Sequence, residues 1–135
     1  MAELSRGGRT ASWVAQLLVA AILFQTLYFK FTGAPESVYI FETLGLEPWG
    51  RLGSGVAELV AGVLLLIPSL AVVGAVLALG AISGALLSHF TVLGIEVQGD
   101  GGLLFGLALV VFFGSLAVLV LRRHEIPVLG SRFER

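Results

Sequence analysis

The sequence predicts an all-α protein: a polytopic membrane four-helix bundle, formed as a single domain over residues 1–135, with a short interfacial helix in its first external loop. Apolar residues make up 57% of the chain and charged residues 13%, and the mean hydropathy is +1.00. A soluble domain of this size could not cover so much apolar surface. Four apolar stretches, each roughly long enough to cross a bilayer, are separated by short polar turns. We therefore expect lipid to surround most of the chain.

The predicted spans cover residues 12–31, 50–67, 70–90 and 102–121. The first would rise about 30 Å, enough for the hydrocarbon core. We expect it to be retained, since no small-residue cleavage site follows it. The second is the shortest and carries Glu58, so we expect it to face the bundle interior. Pro68 and Ser69 separate the second and third spans, which predicts an antiparallel hairpin.

Charge at the ends of the predicted spans indicates their orientation. Six of the eight basic residues flank the two termini: Arg6, Arg9, Arg122, Arg123, Arg132 and Arg135. The first and third loops instead carry acidic residues: Glu36, Glu42, Glu47, Glu96 and Asp100. Under the positive-inside rule, both termini lie in the cytoplasm. We expect a multi-pass protein of the bacterial cytoplasmic (inner) membrane.

The first external loop has helical features of its own. Pro35 suits a first helical position and Gly45 suits the residue after a helix end. Val38, Phe41 and Leu44 repeat at helical spacing between them. The predicted helix either lies on the membrane interface with its apolar face in lipid, or forms a lid over an outward-facing cavity.

Small residues predict where helices approach each other in lipid, where the hydrophobic effect between helices is weak. Gly80, Gly84 and Ser88 follow one another at a spacing of four, and Gly102 and Gly106 repeat that spacing. We expect these positions to pack within the chain. The alternative is a homodimer face.

Three titratable residues are expected at similar depth in the outer half of the membrane: Glu58, Lys30 and His89. A charged side chain within a span costs on the order of 3 kcal/mol and usually faces protein or water. One hypothesis is an outward-facing polar pocket where Glu58 and His89 bind or relay a proton or hold a polar head group. Lys30 would pair with Glu58 or with an anionic ligand, and Gln25 and Thr26 would lie one turn deeper. In the alternative, Lys30 snorkels, Glu58 forms a structural pair and His89 is an interfacial residue.

Several classes of function find no motif in the chain. It has no cysteine, so it offers no thiolate metal site or iron–sulfur ligand, and we expect no metal and no cofactor bound by the chain itself. His124 is predicted on the opposite side from His89. No basic block that would track nucleic acid is present. No hydrolase elbow, P-loop or dinucleotide fingerprint occurs, so the catalytic residues are unknown. Asp100 in GDGG is best explained as the N-cap of the fourth helix.

The order of three segments resembles the DoxX family of small four-helix bacterial membrane proteins. YFKFTGAP ends the first helix, LGLEPWGRLGSGVAELVAGVLLL leads through the second and SGALLSHFTVLGIEV closes the third. The likeness covers residues 12–121. Some members are membrane subunits of oxidoreductase assemblies, including thiosulfate:quinone oxidoreductase. The resemblance therefore implies a quinone-linked or assembly role beside an oxidoreductase partner subunit, with a quinone as cofactor.

Two other functions stay open at this point. The first is a small ligand-binding or transport-like bundle, for a weak acid or a lipid head group, with the same outward-facing pocket. The second is a structural membrane protein whose polar residues only hold helices together. Four helices are few for an autonomous transporter, so the transport hypothesis would call for a homodimer.

Overall fold

The structure is a computed structural model that describes residues 5–126, and all of its regular elements in that range are helical. This confirms the predicted all-α class. The basic residues Arg132 and Arg135 lie outside the described range. The five α-helices are α1 (Arg6–Thr32), α2 (Pro35–Thr43), α3 (Trp49–Leu65), α4 (Ala71–Ser88) and α5 (Leu103–Leu121). Short 3₁₀ turns cover Pro68–Leu70 and Arg123–Glu125, and one π-helical turn covers His89–Leu93.

Three helical segments are long and apolar enough to cross a membrane: Arg6–Thr32, Pro68–Leu93 and Leu103–Leu121. They indicate a membrane protein. The sequence predicts four spans, and the second of them corresponds to α3, which has 17 residues. At about 1.5 Å per residue α3 rises about 26 Å, less than the roughly 30 Å of a hydrocarbon core. It ends early because Ile67 is already extended before Pro68.

The start of α1 lies one and a half turns before the predicted apolar stretch. The hydroxyl of Ser5 accepts a hydrogen bond from the backbone N–H of Gly8 at 2.9 Å, so Ser5 is the N-cap. At the other end Gly33 takes the left-handed conformation, with φ of 69°, and ends the helix. The helix bounds therefore follow the caps, whereas the sequence prediction followed hydropathy.

The four longer helices pack side by side. α3 and α5 each contact both α1 and α4, so α1 and α4 lie diagonally opposite. Alanines are interspersed with branched aliphatic side chains in the buried core, and the alanines are Ala61, Ala71, Ala75, Ala78 and Ala108. The tightest backbone approach is at Gly74, where a Cβ would lie 2.7 Å from the Leu65 nitrogen and 2.9 Å from the Ala61 oxygen. We call the end of this array that holds Lys30 the Lys30 end, and the opposite end the Arg122 end.

The predicted glycine stripe on α4 does not pack within the chain. Gly80 and Gly84 are exposed, and a Cβ on either, or on Gly106 of α5, would meet no atom within 4 Å. The expectation of intramolecular packing at these glycines is therefore wrong. A small-residue spacing shows that one side of a helix can be approached closely, but it does not show which side the neighbours occupy.

The short helix α2 corresponds to the one predicted in the first loop. Pro35 occupies its first turn, and Gly45 has a left-handed φ of 74° after its end. α2 contacts α1, α3 and the π-helical turn, so it lies across the Lys30 end. This placement puts α2 at the same end as Lys30 and His89, two of the groups expected to form the polar site.

Candidate functional site

Lys30 and Glu58 form an ion pair between α1 and α3. Glu58 is 7% exposed, and its Oε1 accepts from the Lys30 ammonium. The Thr26 hydroxyl lies 3.0 Å from Oε2 of Glu58 and 2.8 Å from the carbonyl oxygen of Leu23. Because a hydroxyl has one proton, Thr26 donates to only one of these oxygens at a time. Both carboxylate oxygens of Glu58 thus have partners on α1.

Arg51 joins the ion pair to the chain reversal before α3. Its Nε donates to both carboxylate oxygens of Glu47, at 2.8 and 3.0 Å. Its Nη1 donates to the backbone carbonyl of Lys30, one of the acceptors left open at the end of α1. Sequence analysis did not single out Arg51, although its spacing of four from Glu47 is the signal of a local ion pair.

His89 is buried but is not joined directly to the ion pair. It is 6% exposed, and its Nδ1 lies 2.8 Å from the Gly94 carbonyl. Since a carbonyl only accepts, Nδ1 carries a proton and donates. The ring packs edge-to-face on Phe105 at a centroid distance of 5.5 Å. Within residues 5–126, Nε2 makes no hydrogen bond and His89 has no ion pair.

Gln25 does not take part in the cluster. It is exposed, and among residues 5–126 its side chain makes no hydrogen bond. At about 100° per residue, Gln25 lies about 140° around α1 from Lys30. The structure therefore brings together Lys30, Glu58 and Thr26, places His89 separately at the same end, and turns Gln25 to the outside.

Asp100 holds the loop before α5. Its carboxylate accepts from the backbone N–H groups of Val97 at 3.0 Å, Gly102 at 2.8 Å and Leu104 at 3.1 Å. It caps the first turn of α5, although the N-cap residue itself is Gly102. Burial opposes ionisation, but these hydrogen bonds and the positive charge of protonated His89 outweigh it, so the pKa of Asp100 lies below its ordinary value of 3.8.

A second polar cluster, at the Arg122 end, was not predicted. Arg122 is 6% exposed, and its Nε donates to Ser12 Oγ at 2.8 Å and to Gln16 Oε1 at 3.1 Å. Its Nη1 donates to Glu125 at 3.0 Å. Gln16 in turn donates to the Leu65 carbonyl at 2.7 Å. This network ties α1, the end of α3 and the end of α5 together, and it satisfies a carbonyl that α3 leaves open.

Two observations describe what the chain offers to a ligand. Within residues 5–126, no group of three or more His, Asp or Glu side chains is placed to hold a metal ion. The Lys30 end instead offers an ammonium, a carboxylate, a hydroxyl and an imidazole. These groups can donate hydrogen bonds to a carbonyl or exchange protons with a ligand.

Comparison with known proteins adds no relative on which to build. No protein family, no curated protein and no solved structure matches this chain.

Proposed function

We propose that this chain is a multi-pass protein of the bacterial cytoplasmic membrane, of the DoxX kind, and a membrane subunit of a quinone-linked oxidoreductase assembly. The order of its sequence segments supports the family assignment, and the three apolar helices support the membrane location. In this proposal α3 also crosses the membrane, as the second of the four spans of a membrane four-helix bundle. It packs along both α1 and α4, and a bilayer can thin locally around a helix that is a few ångströms short.

The proposed orientation places the Arg122 end in the cytoplasm. Arg6, Arg9, Arg122 and Arg123 belong to that end, whereas α2 and the loops at the Lys30 end carry the acidic residues. Trp49, exposed at the start of α3, suits the outer interface. Both termini are then cytoplasmic, and the buried Lys30–Glu58 pair lies in the outer half of the bundle.

The functional part of the proposal rests on the Lys30–Glu58 pair, which lies at the same end of the bundle as α2. Lys30 has three ammonium N–H groups and donates a hydrogen bond to Glu58 through one of them, so two N–H groups remain to donate to a carbonyl oxygen. Glu58 is a carboxylate that can accept and release a proton, and His89 at the same end has an unused Nε2. These residues fit the carbonyl of a quinone head group.

A quinone in this position would supply a carrier for two electrons and two protons. The chain has no cysteine and, within residues 5–126, no metal-type cluster, so the proposal assigns the electrons to a partner oxidoreductase subunit. The chain's own residues would hold the carbonyl oxygen through Lys30 and pass protons through Glu58. The chain is accordingly not proposed as an enzyme on its own.

A structural role is the second candidate, and a specific observation favours it. Both oxygens of Glu58 are already satisfied by Lys30 and Thr26, as expected of a pair that only holds α1 against α3. A buried ion pair of this kind can hold a specific helix register without taking part in chemistry.

Glu58→Gln distinguishes these candidates. We expect native membranes carrying this variant to lose most of their quinone-dependent activity while the protein keeps its abundance and stays folded in detergent, with only a small decrease in melting temperature. Glu42→Gln, on the exposed side of α2, is the control and should change neither the quinone-dependent activity nor the stability of the protein. Full quinone-dependent activity in Glu58→Gln would contradict the assignment of Glu58 to a quinone site. Loss of folding together with activity would favour the structural role.

A further inference from the structure

One face of α1 points away from the other helices and includes a polar side chain. Val14, Leu18, Ala21, Gln25 and Tyr28 are all exposed, and Val14 and Tyr28 are 61% and 68% exposed. We call these residues the α1 outer stripe. The buried face of α1, with Gln16, Val19 and Leu23, lies on the opposite side.

Gln25 is the unusual member of the stripe because of its depth. It lies about 5 Å from the middle of the apolar stretch 12–31, at about 1.5 Å per residue. The hydroxyl of Thr10 donates to a backbone carbonyl of its own helix, and the hydroxyl of Thr26 has the Leu23 carbonyl and Glu58 as alternative acceptors, so both have partners within the chain. Within residues 5–126 the Gln25 amide has no such partner. An amide without a hydrogen bond in hydrocarbon is costly, so this position calls for a partner.

We propose that the partner is a second copy of this chain, which packs its α1 outer stripe against the first around a two-fold axis. The amide of Gln25 carries both donors and an acceptor, so two copies of it satisfy each other. Both copies cross the membrane in the same direction, which makes their α1 helices parallel.

The rest of the stripe fits this contact. Its residues alternate in steps of four and three, the spacing of a left-handed helix pair. Ala21, one turn before Gln25, has a small side chain that allows close approach. No residue of the stripe is charged, so identical stripes do not repel each other. The proposal rests on α1 crossing the membrane and is independent of the quinone-linked role.

The absence of cysteine from the sequence makes the contact directly testable. We would place single cysteines at Ala21 and at Gly84 and oxidise native membranes. Gly84 is an exposed small residue on α4, the helix diagonally opposite α1, and serves as the matched control. We expect a disulfide-linked dimer for Ala21→Cys and none for Gly84→Cys. A dimer only for Gly84→Cys, a cross-link of Ala21→Cys to a protein of another mass, or no cross-link at either position would overturn the proposal.

A second measurement tests Gln25 itself. We expect Gln25→Leu to raise the dimer dissociation constant about fivefold to twentyfold, measured by energy transfer between labelled copies in vesicles, because one interhelical hydrogen-bonded pair is lost. The melting temperature of the separated chain should not change, since the side chain is exposed in it. Gln25→Asn keeps the amide, so its dimer dissociation constant should lie between those of the unchanged chain and of Gln25→Leu. An unchanged dissociation constant in Gln25→Leu would contradict the role given to Gln25.

Discussion

At the Lys30 end, a lysine of α1 and a glutamate of α3 form an ion pair between two helices, whereas at the Arg122 end the guanidinium of Arg122 is held by neutral side chains of α1 and by Glu125, three residues further along its own segment. The Lys30 pair connects two helices, with Thr26 as a third contact. The Arg122 network connects three helical segments, because Gln16 also bonds to Leu65 at the end of α3.

This difference indicates that the Lys30 end is suited to proton exchange and ligand binding, whereas the Arg122 end is suited to stabilising the fold. The carboxylate of Glu58 can change its charge, and a ligand can compete for the ammonium of Lys30. Arg122 is always charged, and its two partners on α1, the hydroxyl of Ser12 and the amide of Gln16, do not titrate in the ordinary range; its titratable partner Glu125 lies on its own segment and does not join two helices. We therefore expect the Arg122 end to be rigid and the Lys30 end to be adaptable.

Replacing Arg122 should produce the largest loss of stability. Arg122→Gln removes the Nε–H hydrogen bond that Ser12 and Gln16 share and the ion-paired hydrogen bond to Glu125, each worth about 1.5–3 kcal/mol for a charged donor, so we expect a loss of about 3–5 kcal/mol. The measurement is unfolding in mixed micelles of increasing SDS content. Arg123→Gln is the control, because Arg123 is exposed and donates only to the Val120 carbonyl among the described residues. Equal losses of unfolding free energy in Arg122→Gln and Arg123→Gln would show that the hydrogen bonds of Arg122 do not stabilise this end of the bundle.

At the Lys30 end, the two partners of the ion pair should not be equivalent. Lys30→Met leaves the carboxylate of Glu58 buried without a counter-ion, for which we expect a loss of about 2–3 kcal/mol. Glu58→Gln leaves an ammonium near a helix end, where a flexible side chain can reach the interface, and should cost about 1–2 kcal/mol. Unfolding of both variants and of the double variant gives the coupling between them. A larger loss in Glu58→Gln would contradict the adaptable character of Lys30.

Hydropathy and turn residues were sufficient to predict most of the helices. The all-α class and the helix between Pro35 and Gly45 followed from local spacing, because helix periodicity and cap residues are local properties. The length of α3 did not follow from local spacing, because the helix ends where the backbone becomes extended at Ile67. The orientation of Gly80 and Gly84 depends on which side of α4 its neighbours occupy, and hydropathy does not report this for a helix that is apolar all round.

The candidate site was predictable only where charge itself indicates a partner. An acid and a base in neighbouring apolar segments, Glu58 and Lys30, indicate that they pair, and the structure brings them together. Gln25 was assigned to the same pocket from its proximity in sequence, but one residue is about 100° around a helix, and only Thr26 faces Glu58. The contacts of Arg122 with Ser12 and Gln16 join residues 110 and 106 positions apart, which no local pattern reveals.

The glycines at helix contacts allow the two ends to be compared without changing charge. A Cβ at Gly74 would meet backbone atoms of α3 near the Arg122 end, whereas a Cβ at Gly55 would lie 2.8 Å from the ring of Phe31 near the Lys30 end. Backbone cannot move aside, but the half-exposed ring can turn. We expect Gly74→Ala to lower the free energy of unfolding by about 1–2 kcal/mol and Gly55→Ala by less than half of that. Gly80→Ala, which meets nothing, is the control. If Gly55→Ala were the more costly change, the Lys30 end would be the rigid one.

The smallest effect should come from Asp100, which secures the loop at the Lys30 end and depends on pH. Because its pKa is lower in the folded chain than the ordinary value of 3.8, its carboxylate stabilises the fold fully above that value and loses this contribution as the pH falls through the folded pKa. Asp100→Asn should therefore cost about 1 kcal/mol at neutral pH, as for the loss of a helix cap, and progressively less below about pH 4. Unfolding of both proteins across this pH range measures the difference. Glu96→Gln is the control, since Glu96 is exposed and its contact with the Gly101 N–H is long, at 3.4 Å. A difference in stability between the unchanged chain and Asp100→Asn that stayed constant into the acid range would mean that the hydrogen bonds of Asp100 do not depend on its charge, and that this loop gives the Lys30 end no pH-dependent stability.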